Sequence, residues 1–143
     1  MTATTMNHDK PIILLIDDDP TLVEMYSFKF NRDGFCVFLT ADGTIKALQI
    51  AESEQPDLVL LDLILPKEGG LPSILNKEVG FHLLGLLKSN PKTKNIPVVV
   101  FSNLDERNHN NVQRAKKLGA LDYWVKAHYK PSEVLEKVKA IIQ

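Results

Sequence analysis

Short unbroken apolar runs alternate along this chain with segments in which apolar residues recur every three or four positions. The runs are PIILLI (11–16), FCVFL (35–39), DLVLL (57–61), VVVF (98–101) and LDYWV (121–125). A strand covered on both faces reads this way, because side chains pointing either way must be apolar. Between the runs the period changes to that of a helix. After DDDPT, which offers carboxylate caps and a proline for a first turn, Leu22, Val23, Tyr26 and Phe30 share one face until Asp33-Gly34. Residues 43–54 turn Ala47, Leu48 and Ala51 inward, and residues 79–89 carry Phe81, Leu83, Leu84 and Leu87 at helical spacing. A polar helix is expected from about 105 to 118, closed by Gly119. Pro131 and Ser132 open a last helix that buries Val134, Leu135, Val138, Ile141 and Ile142.

Five strand-helix units in series predict an α/β, doubly wound fold: a five-stranded parallel sheet, (βα)5, with right-handed crossovers placing helices on both faces. In such folds the ligand crevice lies beyond the carboxyl ends of the strands. That rule selects Asp17 to Asp19, Thr40, Asp62, Ser102 and Lys126.

Composition narrows the class. A chain of 143 residues with 44% apolar content supports one sizeable core, expected over residues 11–143 behind a loose polar leader at 1–10. Seventeen basic and 18 acidic residues give a net charge of −1, so neither nucleic acid nor a membrane surface is expected as a partner. The single cysteine, Cys36, cannot form an internal disulfide, and no secretory signal opens the chain. No apolar run approaches the roughly 18 residues of a membrane span. A cytoplasmic location is expected.

The stretch LVLLDLILP (58–66) places one charge, Asp62, in an aliphatic run. Withdrawing a lone carboxylate from water costs several kcal/mol, so Asp62 needs a partner or a strand end. With Asp17 and Asp18 it would meet in one crevice, and a hard cation relieves their repulsion. Mg²⁺ suits few carboxylates, some waters and phosphate oxygens. Lys126 can set a positive charge opposite the acids, and Ser102 can donate to an oxyanion.

These pieces together resemble the receiver domain of two-component response regulators, of the standalone, chemotaxis-regulator type. The acidic pair follows IILLI, Asp62 stands in DLILP, Ser102 follows VVVF, and Lys126 follows DYWV. The resemblance implies a flavodoxin-like strand order 2-1-3-4-5. It also implies that Asp62 is a nucleophile taking a phosphoryl group from a phosphohistidine on a sensor histidine kinase or histidine phosphotransfer protein. Mg²⁺ would be held by Asp17, Asp18, Asp62 and the backbone carbonyl of Ile64, Asp18 directly and Asp17 partly through water. Lys126 and Ser102 would bind the phosphoryl oxygens. Tyr123 would be an aromatic switch that turns inward as the Ser102 hydroxyl moves. The readout by a downstream effector protein would be a changed surface on the fourth helix, fifth strand and fifth helix.

Three departures from the family pattern modify the expectation. Ala127 follows the lysine where the family usually has proline, often after a cis bond, which before a non-proline costs about 2.5–4 kcal/mol. Asn103 follows the hydroxyl residue in place of a small one and is expected to narrow access to Asp62. KEGGLPSILNKEVG lengthens the loop after Pro66, an insertion over about 67–79. It reads either as a surface extension, which loop-closure entropy tolerates, or as a lid or partner contact through Leu71, Ile74 and Leu75. Ile64 and Leu104 flank the place of the hydrolytic water in this family and cannot orient it, which predicts slow self-dephosphorylation.

Two other classes compete. A haloacid-dehalogenase-like phosphatase would read DDDPTL with Asp17 as nucleophile and Asp19 as general acid, but leaves Asp62 unexplained. A degenerate receiver would bind partners without phosphorylation, a reading that rests on Asn103 and Ala127. His8, His82, His109 and His128 lack metal-ligand spacing. The receiver reading makes the protein a phosphoacceptor, not an enzyme in its own right. The end at Gln143, directly after the last helix, leads to the expectation of a relay acting through protein contacts.

Overall fold

The computed structural model describes residues 9–41, 44–66, 75–104 and 109–142. Five strands form one parallel sheet: β1 (Ile12–Ile16), β2 (Cys36–Thr40), β3 (Leu58–Leu61), β6 (Val98–Ser102) and β7 (Asp122–Val125). Their order is β2-β1-β3-β6-β7, which is 2-1-3-4-5 when these strands alone are counted. The helices are α1 (Pro20–Arg32), α2 (Thr44–Glu54), α3 (Lys77–Ser89), α4 (His109–Lys117) and α5 (Pro131–Ile142).

Alternation along each strand divides the core in two. Ile13 and Leu15 of β1, Leu58 and Leu60 of β3, and Phe101 and Trp124 pack with Tyr26 and Phe30 of α1 and Val134 and Val138 of α5. Leu14, Ile16, Val59 and Leu61 face the other way, against Ala47 and Ala51 of α2, Phe81 and Leu84 of α3, and Ala115 of α4. Strand β3 is buried at every position, so its register with β1 and β6 is fixed by both layers. The expected sheet positions are accordingly met to within a residue or so.

Local chemistry sets the helix ends. Asp19 caps α1, accepting from the backbone N–H of Thr21 (3.1 Å) and Leu22 (3.3 Å), and Pro20 occupies the first turn. Asp33 and Gly34 close α1, with Gly34 at φ 91°, a left-handed conformation that a residue without Cβ adopts at little cost.

The region after β3 departs from expectation. Helix α3 begins at Lys77, two residues early, because the Asn76 side chain accepts from Glu78 N–H at 2.8 Å and caps it. Lys77 and Glu78 are polar, so apolar periodicity could not register them. Leu65–Pro66 (β4) and Leu75–Asn76 (β5) pair antiparallel at the base of the insertion. Two-residue strands are too short to show a period. The segment 67–74, with Leu71 and Ile74, lies outside the described residues, as do residues 1–8 of the expected leader. The start of the polar helix at 105–108 falls there too.

Helix α3 is seated on the exit from β3. Gly80 donates its N–H to the Leu63 carbonyl at 3.1 Å, and a Cβ at Gly80 would overlap the Leu63 backbone. Its far side is tied to α4: Arg114 makes a two-pronged ion pair with Glu78 (2.8 and 2.6 Å), its guanidinium 4.0 Å from the Phe81 ring centroid. Gly80→Ala gains about 1 kcal/mol of helix propensity but overpacks rigid backbone at a cost of about 1–3 kcal/mol or more. We expect a net loss of stability on urea unfolding; a neutral or stabilising result would show that α3 can shift off Leu63.

Candidate phosphoacceptor site

Each candidate acid sits where a strand gives out. The Asp17 N–H donates to the Thr40 carbonyl (3.1 Å) and the Asp62 N–H to the Ile16 carbonyl (2.9 Å), the last rungs before the chain turns into the crevice. The DDD run divides its labour. Asp19 serves the helix, while Asp17 is buried with 1% exposure and Asp18 is half-buried. Asp17 also accepts the Asp19 N–H on Oδ1 at 2.9 Å, which holds its carboxylate inward.

Asp62 is buried, with 6% exposure, and both of its oxygens are held. The Ser102 hydroxyl donates to Oδ1 at 2.7 Å, and the Ile64 N–H donates to the same oxygen at 3.1 Å. Lys126 Nζ donates to Oδ2 at 3.0 Å. That ammonium also lies 2.5 Å from Asp17 Oδ2, so one cation bridges two carboxylates. Asp17 Oδ2 makes no hydrogen bond of ordinary geometry, and its contact with Lys126 is one of charge.

One ammonium does not balance this cluster. Burial pushes the Asp17 carboxyl up from 3.8 to about 6, with Asp62 adding to the rise and Lys126 opposing it. Asp18 is raised as well, by burial first and then by Asp62. Burial pulls Lys126 down, but the Asp62 and Asp17 charges outweigh it and hold its pKa above the ordinary value. Asp17, Asp18 and Asp62 can each present an oxygen within 4.8 Å of the others. A buried, unsatisfied oxygen and two carboxyls raised by burial and, beyond it, by the Asp62 charge fit a divalent cation.

The chain matches the response regulator receiver domain family over residues 13–139. It belongs to that family. Among curated relatives it is 33% identical to the DNA-binding dual master transcriptional regulator RpaA of Synechocystis, over 93% of this chain and 49% of that protein. It is also 33% identical to the alkaline phosphatase synthesis regulator PhoP of Bacillus subtilis, over 92% of this chain and 48% of that one. In fold it resembles the BeF3-activated receiver domain of Klebsiella pneumoniae RstA, with TM-score 0.74, 23% identity, and coverage of 92% and 98% of the two chains. The CheY-like receiver of Methanospirillum hungatei gives TM-score 0.76 at 22% identity, covering 93% and 94%.

Membership of the receiver family removes the phosphatase reading, and the geometry agrees, since Asp19 faces helix amides and not the crevice. One expectation is corrected. The near-neutral charge led to nucleic acid being excluded as a partner, yet RpaA is a DNA-binding regulator, as is MtrA of Mycolicibacterium smegmatis, 33% identical over 90% of this chain, and this chain spans about half the length of each. The charge of a receiver does not report on what a regulator contacts through another segment. Among the described residues, no helix is long and apolar enough to cross a membrane.

The family departures around the site prove to be connected. No described peptide bond is cis, and Lys126–His128 form a single 3-10 turn. Ala127 retains an N–H that proline would lack, and that N–H donates to Asn103 Oδ1 at 3.0 Å. Sequence reasoning noted both residues but could not pair them across 24 positions. Tyr123 is buried at 6% exposure, its hydroxyl donating to the Leu104 carbonyl at 3.0 Å.

A carboxyl whose folded-state pKa exceeds its unfolded value burdens the fold when ionised. The Asp17 contribution is therefore fully present below pH 3.8 and lost as pH rises through about 6. Asp17→Asn, neutral throughout, should stabilise chelator-treated protein by about 1–3 kcal/mol at about pH 8 and by little near pH 4, measured by denaturant unfolding. A loss of stability at the higher pH would mean that the Lys126 contact outweighs burial.

Proposed function

We propose that this receiver accepts a phosphoryl group on Asp62 from a phosphohistidine of a sensor kinase or histidine phosphotransfer protein. One observation carries the reading: a buried carboxylate at a strand end with a hydroxyl on one oxygen and an ammonium on the other, beside two further acids. An Asp62 oxygen attacks phosphorus, the P–N bond to the imidazole breaks with its electron pair leaving on nitrogen, and an acyl phosphate forms. Ser102 and Lys126, which now grip the carboxylate, are placed to pass to the phosphoryl oxygens as charge moves there. Asp17, Asp18, Asp62 and the Ile64 carbonyl would hold Mg²⁺, whose charge offsets that of the transferred group.

The protein is thus an acceptor that is consumed and regenerated. Output runs through the surface of α4, β7 and α5. Ser102 turned to Asp62 and Tyr123 turned inward are the arrangement expected of the switched state. The effector it controls extends to DNA-binding output of the kind named in the relatives, and the lone thiol Cys36 suits the cytoplasm.

Incubation with Mg²⁺ and a small phosphodonor, read by intact mass and peptide mapping, should add one phosphoryl group at Asp62. Asp62→Asn should abolish it, and Lys126→Ala should slow it about 100-fold or more. Modification that survives Asp62→Asn, or turnover that depends on Asp17, would overturn the reading. Because Ile64 and Leu104 offer no side-chain hydrogen bond to a water, the acyl phosphate should last well beyond minutes; decay within seconds would refute the shielding argument.

A further inference from the structure

The segments that leave β6 and β7 meet beside Asp62, and the hydrogen bond from Ala127 N–H to Asn103 Oδ1 joins them. The two residues are direct neighbours of the groups that grip Asp62. Asn103 follows Ser102, which holds Oδ1; Ala127 follows Lys126, which holds Oδ2. The Asn103 side chain is exposed and belongs to neither core layer, yet its oxygen is committed to another loop's backbone. Ala127 has an N–H free to take such a partner, because an N–H in the first turn of a helix has none within it.

The neighbouring bonds hold the same short segment. Leu104 N–H donates to Ser102 Oγ at 3.2 Å, and its carbonyl accepts the Tyr123 hydroxyl. On the other side the anchoring is weaker. Lys126 reaches the site through a flexible four-carbon stem, and Asp17 competes with Asp62 for its ammonium. A fixed backbone at Ala127 limits how far that ammonium can follow Asp17.

We infer that Asn103 is a positioning residue: its side chain cross-ties the two loops and sets the spacing between the Ser102 hydroxyl and the Lys126 ammonium around Asp62. The inference rests on the phosphoacceptor reading of Asp62. Asn103 itself touches no reacting atom. Its effect is on preorganisation, where small displacements of a gripping group are felt strongly in rate.

The test is a double-mutant cycle on the full chain with Mg²⁺ and acetyl phosphate. Asn103→Ala should lower the saturating rate of Asp62 phosphorylation roughly 3- to 10-fold, the span of one net hydrogen bond, and leave the half-saturating concentration unchanged. Ala127→Pro removes the donor N–H, so adding Asn103→Ala to it should cost nothing further. Hydrogen exchange at the Ala127 amide should speed up in Asn103→Ala, a readout that stands even if the proline variant does not fold. Equal rates in wild type and Asn103→Ala, an equal loss in both backgrounds, or unchanged Ala127 protection would each overturn the cross-tie while Asp62 is still modified. A wild-type chain that takes up no phosphoryl group would overturn the phosphoacceptor reading itself, and the positioning role with it.

Discussion

The charge balance at the end of β3 is the constraint on which the rest of the structure depends. Asp17 and Asp62, both buried, share one ammonium, Lys126, and the half-buried Asp18 lies beside them. Such a cluster opposes folding, because burial, with the Asp62 charge adding to it, penalises ionised Asp17 and Asp18 more than one lysine offsets. It persists because two apolar layers over-determine the strands that carry it. Strands β1 and β3 are buried at every position, and a slip of one residue would exchange the faces of both. The fold supplies the site with rigidity, and the site spends part of the fold's stability.

The same constraint explains why the site needs both loops. A strand delivers a residue to its end but does not set the direction of the side chain beyond it. Ser102 is still within β6 and needs little help, whereas Lys126 lies past β7 in a single turn of 3-10 helix. The bond from Ala127 to Asn103 supplies there what the ladder supplies elsewhere. Two departures from the family pattern that each looked like damage to the site therefore act as one replacement part.

The insertion after Pro66 is accommodated by a similar economy. It is closed at its base by the β4–β5 pair and by the Asn76 cap, so α3 starts from a defined point and Gly80 can lie on the Leu63 backbone. From there Glu78 and Arg114 link α3 to α4. The route from the strand that bears Asp62 to the helix expected to carry output is thus a short series of direct contacts.

The sequence by itself determined the order and faces of the elements and the set of residues at the crevice. Those follow from local periodicity and from the rule that places ligands at the carboxyl ends of parallel strands, and both are written within a few residues of each position. Local preference alone does not divide Asp17, Asp18 and Asp19 between site and cap, since all three satisfy it; the family resemblance put Asp17 and Asp18 in the site, and the direction of each side chain gives Asp19 to the cap. The sequence could not find two-residue strands, nor a helix start made of polar residues. Nor could it turn Asn103 and Ala127 from two exceptions into one interaction, because a hydrogen bond between loops 24 residues apart has no period and exists only once the sheet has brought β6 and β7 side by side.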